Sequence, residues 1–176
     1  MYLFRRNQAI CLLALVLTLA LAGAGWSQTA TPTPPDSASA YRQAVAYLDQ
    51  AEQQLTAKNL SAALSLVKQS NEIFTRLQKE SAGKLAEREL TAQESQQLAI
   101  NQKLANEAQA QADPLLETAA AKKKEAEELR AKGQAEAGDA AERESKDKYL
   151  QAQTLSIKSA TYALRNQQII FRFLAP

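Results

Sequence analysis

The chain has 176 residues, no histidine, one cysteine, and 21 basic against 19 acidic residues. Without histidine, imidazole-based catalysis and imidazole metal ligation are excluded. The near-neutral charge gives no electrostatic basis for nucleic-acid binding. Alanine, glutamine, leucine, glutamate and lysine dominate after residue 36, while aromatics are only 6% of the chain. That is the composition of long helices.

The first segment reads as a leader. Arg5 and Arg6 form a basic start, Ala9 to Ala22 an apolar run (AICLLALVLTLALA), and Ala22-Gly23-Ala24 a small-x-small cleavage signal. This predicts a Sec-type signal peptide over residues 1–24, with Ala30 as a second cleavage point. The protein is then exported to the periplasm or cell envelope of a two-membrane bacterium. No cysteine stands where a lipoprotein would carry one, and the flanks of Arg5-Arg6 do not match a twin-arginine signal. The alternative is a retained segment anchoring the chain in the inner membrane, although the run falls short of the roughly 20 residues a span needs. Cleavage removes Arg5, Arg6 and Cys11, which leaves 19 basic residues against 19 acidic ones and no thiol. The mature chain can form no disulfide.

Residues 25–38 (GWSQTATPTPPDSA) form a Pro/Thr/Ser-rich linker, where Pro32, Pro34 and Pro35 favour polyproline II. Ser37 or Ser39 is expected to cap the helix that follows. Residues 39–81 carry two apolar stripes at helical spacing. The first is Tyr41, Ala44, Val45, Leu48, Ala51 and Leu55; the second is Leu60, Ala63, Leu64, Val67, Phe74 and Leu77, with Ser70 interrupting it. Lys58-Asn59 joins them, with Asn59 suited to the left-handed position, so the helices should form an antiparallel hairpin.

The pattern A-x-x-x-L-x-A-K-N-x-x-x-A-L resembles one tetratricopeptide-type helical hairpin. The resemblance covers residues 39–81 and lacks that family's Trp-Leu-Gly-Tyr signature. It implies close helix packing through Ala51, Ala57 and Ala63, and no particular activity.

The helical pattern continues past Leu77 to about residue 111, with Gly83 a candidate kink. Leu85, Ala92 and Ala99 recur at seven residues, and Leu90 and Leu104 stand two such steps apart. This predicts a thin Ala/Leu coiled-coil seam. Asp113-Pro114 reads as a boundary that opens a second helical pair over about 114–174, because proline suits a first helical turn and aspartate an N-cap. Gly133 and Gly138 loosen that stretch, and the last helix runs over 139–174. Glu142–Lys146 and Glu144–Lys148 should pair on it at i,i+4. Its packing stripe is expected at Tyr149, Ala152, Ser156, Ser159, Tyr162 or Ala163, Ile169 and Phe173. A diluted internal repeat aligns Ala51, Ser70, Phe74 and Ser81 with Ala126, Ser145, Tyr149 and Ser156. If real, it requires residues 126–156 to form a hairpin.

The chemistry-bearing candidates are few. Ser156 and Lys158 are too close in sequence to face one another on a helix, and the carboxylates fall on solvated faces. No catalytic, cofactor-binding or metal-ligating residue is expected. Lys122-Lys123-Lys124 is neutralised locally by Glu125, Glu127 and Glu128. Asn59-Leu60-Ser61 matches a glycosylation sequon of little weight in a bacterial helix turn. The C-terminal run is the candidate interaction surface: Ile169, Ile170, Phe171, Phe173 and Leu174 are apolar on every side of a helix, serving either as core or as a contact.

The expectation is an all-α antiparallel helical hairpin or bundle with long Ala-rich helices, acting as a non-enzymatic envelope adaptor. The expected partners are envelope proteins, with a membrane surface or a second copy as further options. The alternatives are a holdase-type chaperone or lipid-surface binder using the apolar C-terminus, and a tethered spacer with an uncleaved N-terminus.

Overall fold

The computed structural model describes residues 36–175. The predicted signal segment, and the linker up to residue 35, lie outside the described residues. The chain folds into α1 (Ser37–Thr56), α2 (Leu60–Glu80), a short α3 (Ala82–Glu87), α4 (Ala92–Ala131), α5 (Ala135–Phe171) and a closing 3₁₀ turn over Arg172–Leu174. The described residues include no strand, and the all-α hairpin architecture with long helices is the observed one.

α1 and α2 form the expected antiparallel hairpin. Tyr41, Ala44, Leu48 and Ala51 of the first stripe are buried, as are Ala63, Val67, Ser70, Phe74 and Leu77 of the second. Two local details differ from expectation. The N-cap of α1 is Asp36, whose carboxylate accepts from Ser39 N at 2.8 Å. At the turn, Lys58 takes the left-handed conformation (φ 58°), while Asn59 caps α2 by accepting from Ala62 N at 3.4 Å. Asn59 N donates to Gln54 O (2.8 Å) and Lys58 N to Leu55 O (3.0 Å). This crossed pair closes a Schellman motif, which demands a positive φ at the residue after the cap.

The middle of the chain departs from the sequence reading. The helix does not run from 60 to about 111: α2 stops at Glu80, and Arg88 is extended (φ −74°, ψ 125°). α4 opens with a capping box, in which Thr91 Oγ1 accepts from Glu94 N (3.1 Å) and Glu94 Oε2 accepts from Thr91 N (3.0 Å). Such a box satisfies two helix-end donors at once.

The predicted boundary at Asp113-Pro114 is also overturned: α4 passes through Pro114 and runs 40 residues. Proline at 114 costs the bond to the carbonyl of Ala110, but Ala110 and Pro114 are both exposed, so water can take that acceptor. Ala112 and Ala119, on the opposite side, are buried. Asp113 does not cap a helix; its carboxylate accepts from Gln109 Nε2 at 2.6 Å. The second hairpin is therefore α4–α5, turning at Lys132-Gly133-Gln134, and not a pair beginning at 114.

α4 and α5 pack through a ladder of small residues with a step of seven on both helices. Ser145 Oγ donates to Ala119 O (2.7 Å), Ser159 Oγ to Ala105 O (2.8 Å) and Asn166 Nδ2 to Leu98 O (3.4 Å). Between these rungs lie Ala112 and Ala152, both fully buried. Toward the tip, a Cβ added at Gly138 would stand 3.0 Å from Ala126 O and 2.7 Å from Arg130 Cγ, so glycine is required by the approach of the two backbones. A seven-residue seam of Ala, Ser and Gly lets antiparallel helices approach closely enough for hydroxyls to reach carbonyls across the interface.

The internal repeat is present in the fold. Gly133 (φ 77°) stands 75 residues after Lys58 and shares its left-handed conformation. Gln134 N donates to Leu129 O and Gly133 N to Arg130 O, both at 3.0 Å, repeating the first turn's bonds at the same offset. Ser70 Oγ donates to Ala44 O at 2.9 Å, and Ser145 to Ala119 is the same bond 75 residues on. The offset holds through the turn, so Leu55 corresponds to Arg130.

Candidate functional site

The C-terminal run that the sequence offers as an interaction surface is placed in the core. Phe171 is fully buried. Its ring stacks on Phe74 at 5.9 Å and lies 6.5 Å from Phe173, and Phe74 meets Tyr41 edge-on at 6.4 Å. Ile170, Phe173 and Leu174 are partly buried against the same cluster, which includes Ile157 and Leu164 of α5, and Ile169 is also partly buried. Of the two roles open to the run, core or contact, Phe171 takes the core one. A hairpin with two large-residue stripes needs a third helix to close it, and the second half of α5 supplies one.

Polar contacts fix how α5 sits in that groove. Tyr41 Oη donates to Gln168 O at 3.1 Å, and burial raises the Tyr41 pKa above its ordinary value. Arg165 reaches Asp49 Oδ1 (2.7 Å) and Glu52 Oε2 (2.8 Å) on α1. Arg88 closes the end: its guanidinium donates to Ile169 O (2.7 Å) and Ile170 O, pairs with Glu94 (2.6 Å), and lies 5.6 Å from the centre of the Phe173 ring. It adds a charged donor to carbonyls of the last helical turn, where a cation also suits the helix dipole. Glu94 is held below the usual carboxylate range, chiefly by the Thr91 N–H and further by Arg88.

Among the described residues, no helix covers the equivalent face of the second hairpin. An open groove of about 600 Å³ is lined by Leu116, Ala120, Lys123, Lys146, Tyr149 and Leu150 above Ala119 and Ser145. Leu116 is 40% exposed, Tyr149 51% and Leu150 52%. Tyr149 is therefore not in the packing stripe; the buried line of α5 runs through Ala141, Ser145, Ala152 and Ser159, and its other buried line through Ile157, Leu164 and Phe171. The sequence signal for the groove was available in the repeat, which pairs Tyr149 with Phe74 and Leu116 with Tyr41. Missing from that signal was the knowledge that a third helix covers only one copy.

Toward the tip, the repeat exchanges apolar residues for charge. Leu55, Leu64 and Val67 of the first hairpin correspond to Arg130, Asp139 and Glu142. Arg130 pairs with Asp139 (2.7 Å) and with Glu142, and Lys146 with Glu142 (2.6 Å). Hydrogen bonds from Lys146 and Arg130 lower the Glu142 pKa to about 2. Lys122 of the basic run bonds Glu125 (3.0 Å) and Glu144 (3.1 Å), and these bonds raise its pKa. Glu144 thus pairs across the hairpin, where the sequence suggested Lys148. Lys124 approaches Glu128 at 3.8 Å.

Among the described residues, no group of three or more His, Cys, Asp or Glu could hold a metal ion, and no helix is long and apolar enough to cross a membrane. Neither protein-family models, curated proteins nor solved structures yield a match to this chain.

Proposed function

We propose that this chain is an exported, non-enzymatic adaptor of the cell envelope that presents a helical arm to partner proteins. One observation carries the reading: from residue 112 on α4 to residue 152 on α5, the buried side chains of the hairpin are all small, ion pairs join its tip, and its outer apolar residues remain open. About 20 residues of each helix make an arm of roughly 30 Å at 1.5 Å per residue. Small-residue packing holds it together, so its larger apolar residues are free for contact. A catalytic role is not part of the proposal, since the available nucleophiles and acids are hydrogen-bonded structural groups or solvated. A C-terminal lipid or client surface is disfavoured by the burial of Phe171.

In-cell photo-crosslinking from position 150 tests the reading, with intact-mass analysis of the same sample. The expected result is a mature start near residue 25 and a small set of discrete envelope proteins. Many unrelated unfolded clients would replace the adaptor with a chaperone, and a retained leader would replace it with a tethered spacer.

A further inference from the structure

The two hairpins are copies, and the structure shows what one copy does with its outer groove. In the first, Tyr41, Val45, Leu48 and Phe74 face the second half of α5. That half contributes Ile157, Leu164 and Phe171, spaced by seven, and runs antiparallel to α1, as the contacts of Gln168 with Tyr41 and of Arg165 with Asp49 and Glu52 require. In the second, the same four positions are Leu116, Ala120, Lys123 and Tyr149, and they are exposed. The Ser–Ala bond beneath the groove is the same in both.

The charge at the groove differs, and its lining is cationic. Where α1 offers Asp49 to the arginine of the docked helix, the repeat places Lys124. Where Leu48 is fully buried, it places Lys123. Lys146 stands on the opposite wall. A helix docked here in the manner of α5 would meet Lys124 where Arg165 meets Asp49 and Glu127 where it meets Glu52, while the charged side chains that line the groove itself are Lys123 and Lys146.

We infer that the groove formed by Leu116, Ala120, Lys123, Lys146, Tyr149 and Leu150 docks an acidic amphipathic helix of a partner protein, in the way the first hairpin docks α5. The inference rests on the adaptor reading and specifies its site. The docked helix runs antiparallel to α4, sets a large apolar residue on Tyr149 beside Leu116, and carries a carboxylate one to two turns earlier, within reach of Lys123 and Lys124. The groove covers only the base of the arm, because Arg130, Asp139 and Glu142 occupy the counterpart of the apolar tip. Two to three helical turns are therefore its full contact, a helix-in-groove mode read through i, i+3/i+4 and i+7 anchors.

The test is selection of a phage-displayed library of helical peptides on the purified protein, followed by binding measurements on the synthesised winners. The expected winners have apolar residues at i, i+3/i+4 and i+7 and net negative charge. Leu116→Asp should weaken them at least ~10-fold, and Lys123→Glu by about threefold or more at low salt, with the lysine effect fading as salt rises. Both sites are exposed, so the variants should melt with the parent. No enriched peptide, winners with basic flanks, or indifference to Leu116→Asp would overturn the proposal. So would a concentration-dependent dimer abolished by Leu150→Asp, because the occupant would then be a second copy. If crosslinking finds discrete partners while the groove selects no peptide, the adaptor reading stands and this docking site falls.

Discussion

At the scale of single residues, Arg88 joins more of the structure than any other side chain described. It leaves an extended linker, serves two carbonyls at the end of α5, pairs with the carboxylate that caps α4, and covers Phe173. Arg88→Ala strips two carbonyls of a charged donor and should cost about 2 kcal/mol or more. Arg88→Lys should recover less than half of that loss, because an ammonium cannot fork between carbonyls and carboxylate. Urea unfolding of the three proteins checks this, and full recovery by lysine would contradict the forked geometry. The sequence held part of this site: Thr91-Ala92-Gln93-Glu94 is a capping-box pattern and fixes the start of α4. It held no sign that Arg88 meets the end of α5, because that contact joins residues 81 and 82 positions apart.

At the scale of elements, the helices of the first hairpin were legible because large apolar residues recur at a single period. The α4–α5 pair was not, because its seam is Ala, Ser and Gly, which leave little hydrophobic contrast with the solvated face. Pro114 misled for the same reason: a local breaker is weighed against packing, and a continuous small-residue ladder on the opposite side outweighs one lost hydrogen bond. The tip of that hairpin relies on ion pairs where the first relies on leucine and valine. Glu142, with its pKa lowered to about 2, stabilises the fold above its unfolded value of about 4.5. That contribution is lost as pH falls through 2. The melting-temperature difference between the parent and Glu142→Gln should therefore be present at pH 6 and shrink steadily between about pH 4.5 and pH 2. A difference independent of pH would show that the ion pairs at the tip contribute nothing.

At the scale of the molecule, one hairpin occurs twice and meets two fates. The first hairpin has a large apolar face, and α5 closes it. The second has charged residues over most of that face and an open apolar patch rimmed by lysine. The sequence carried the repeat itself, through Ala51/Ala126, Ser70/Ser145 and Phe74/Tyr149. It could not carry the asymmetry, since covering one copy and not the other is a property of how α5 is shared. The same sharing explains the C-terminal run, whose apolar residues are apolar on every side because α5 packs on α4 with one face and on the first hairpin with another.

The paired positions 74 and 149 allow the central claim to be tested in one experiment. Phe74→Ala and Tyr149→Ala delete equivalent aromatic rings from the two copies, and thermal unfolding of both variants beside the parent measures what each ring does. With one groove filled and the other open, Phe74→Ala should cost about 3–5 kcal/mol, on the order of 10 °C in melting temperature, while Tyr149→Ala should stay within about 0.5 kcal/mol of the parent. Comparable losses at both positions would mean that the second groove is already covered within the protein, and that no face is left there for a partner.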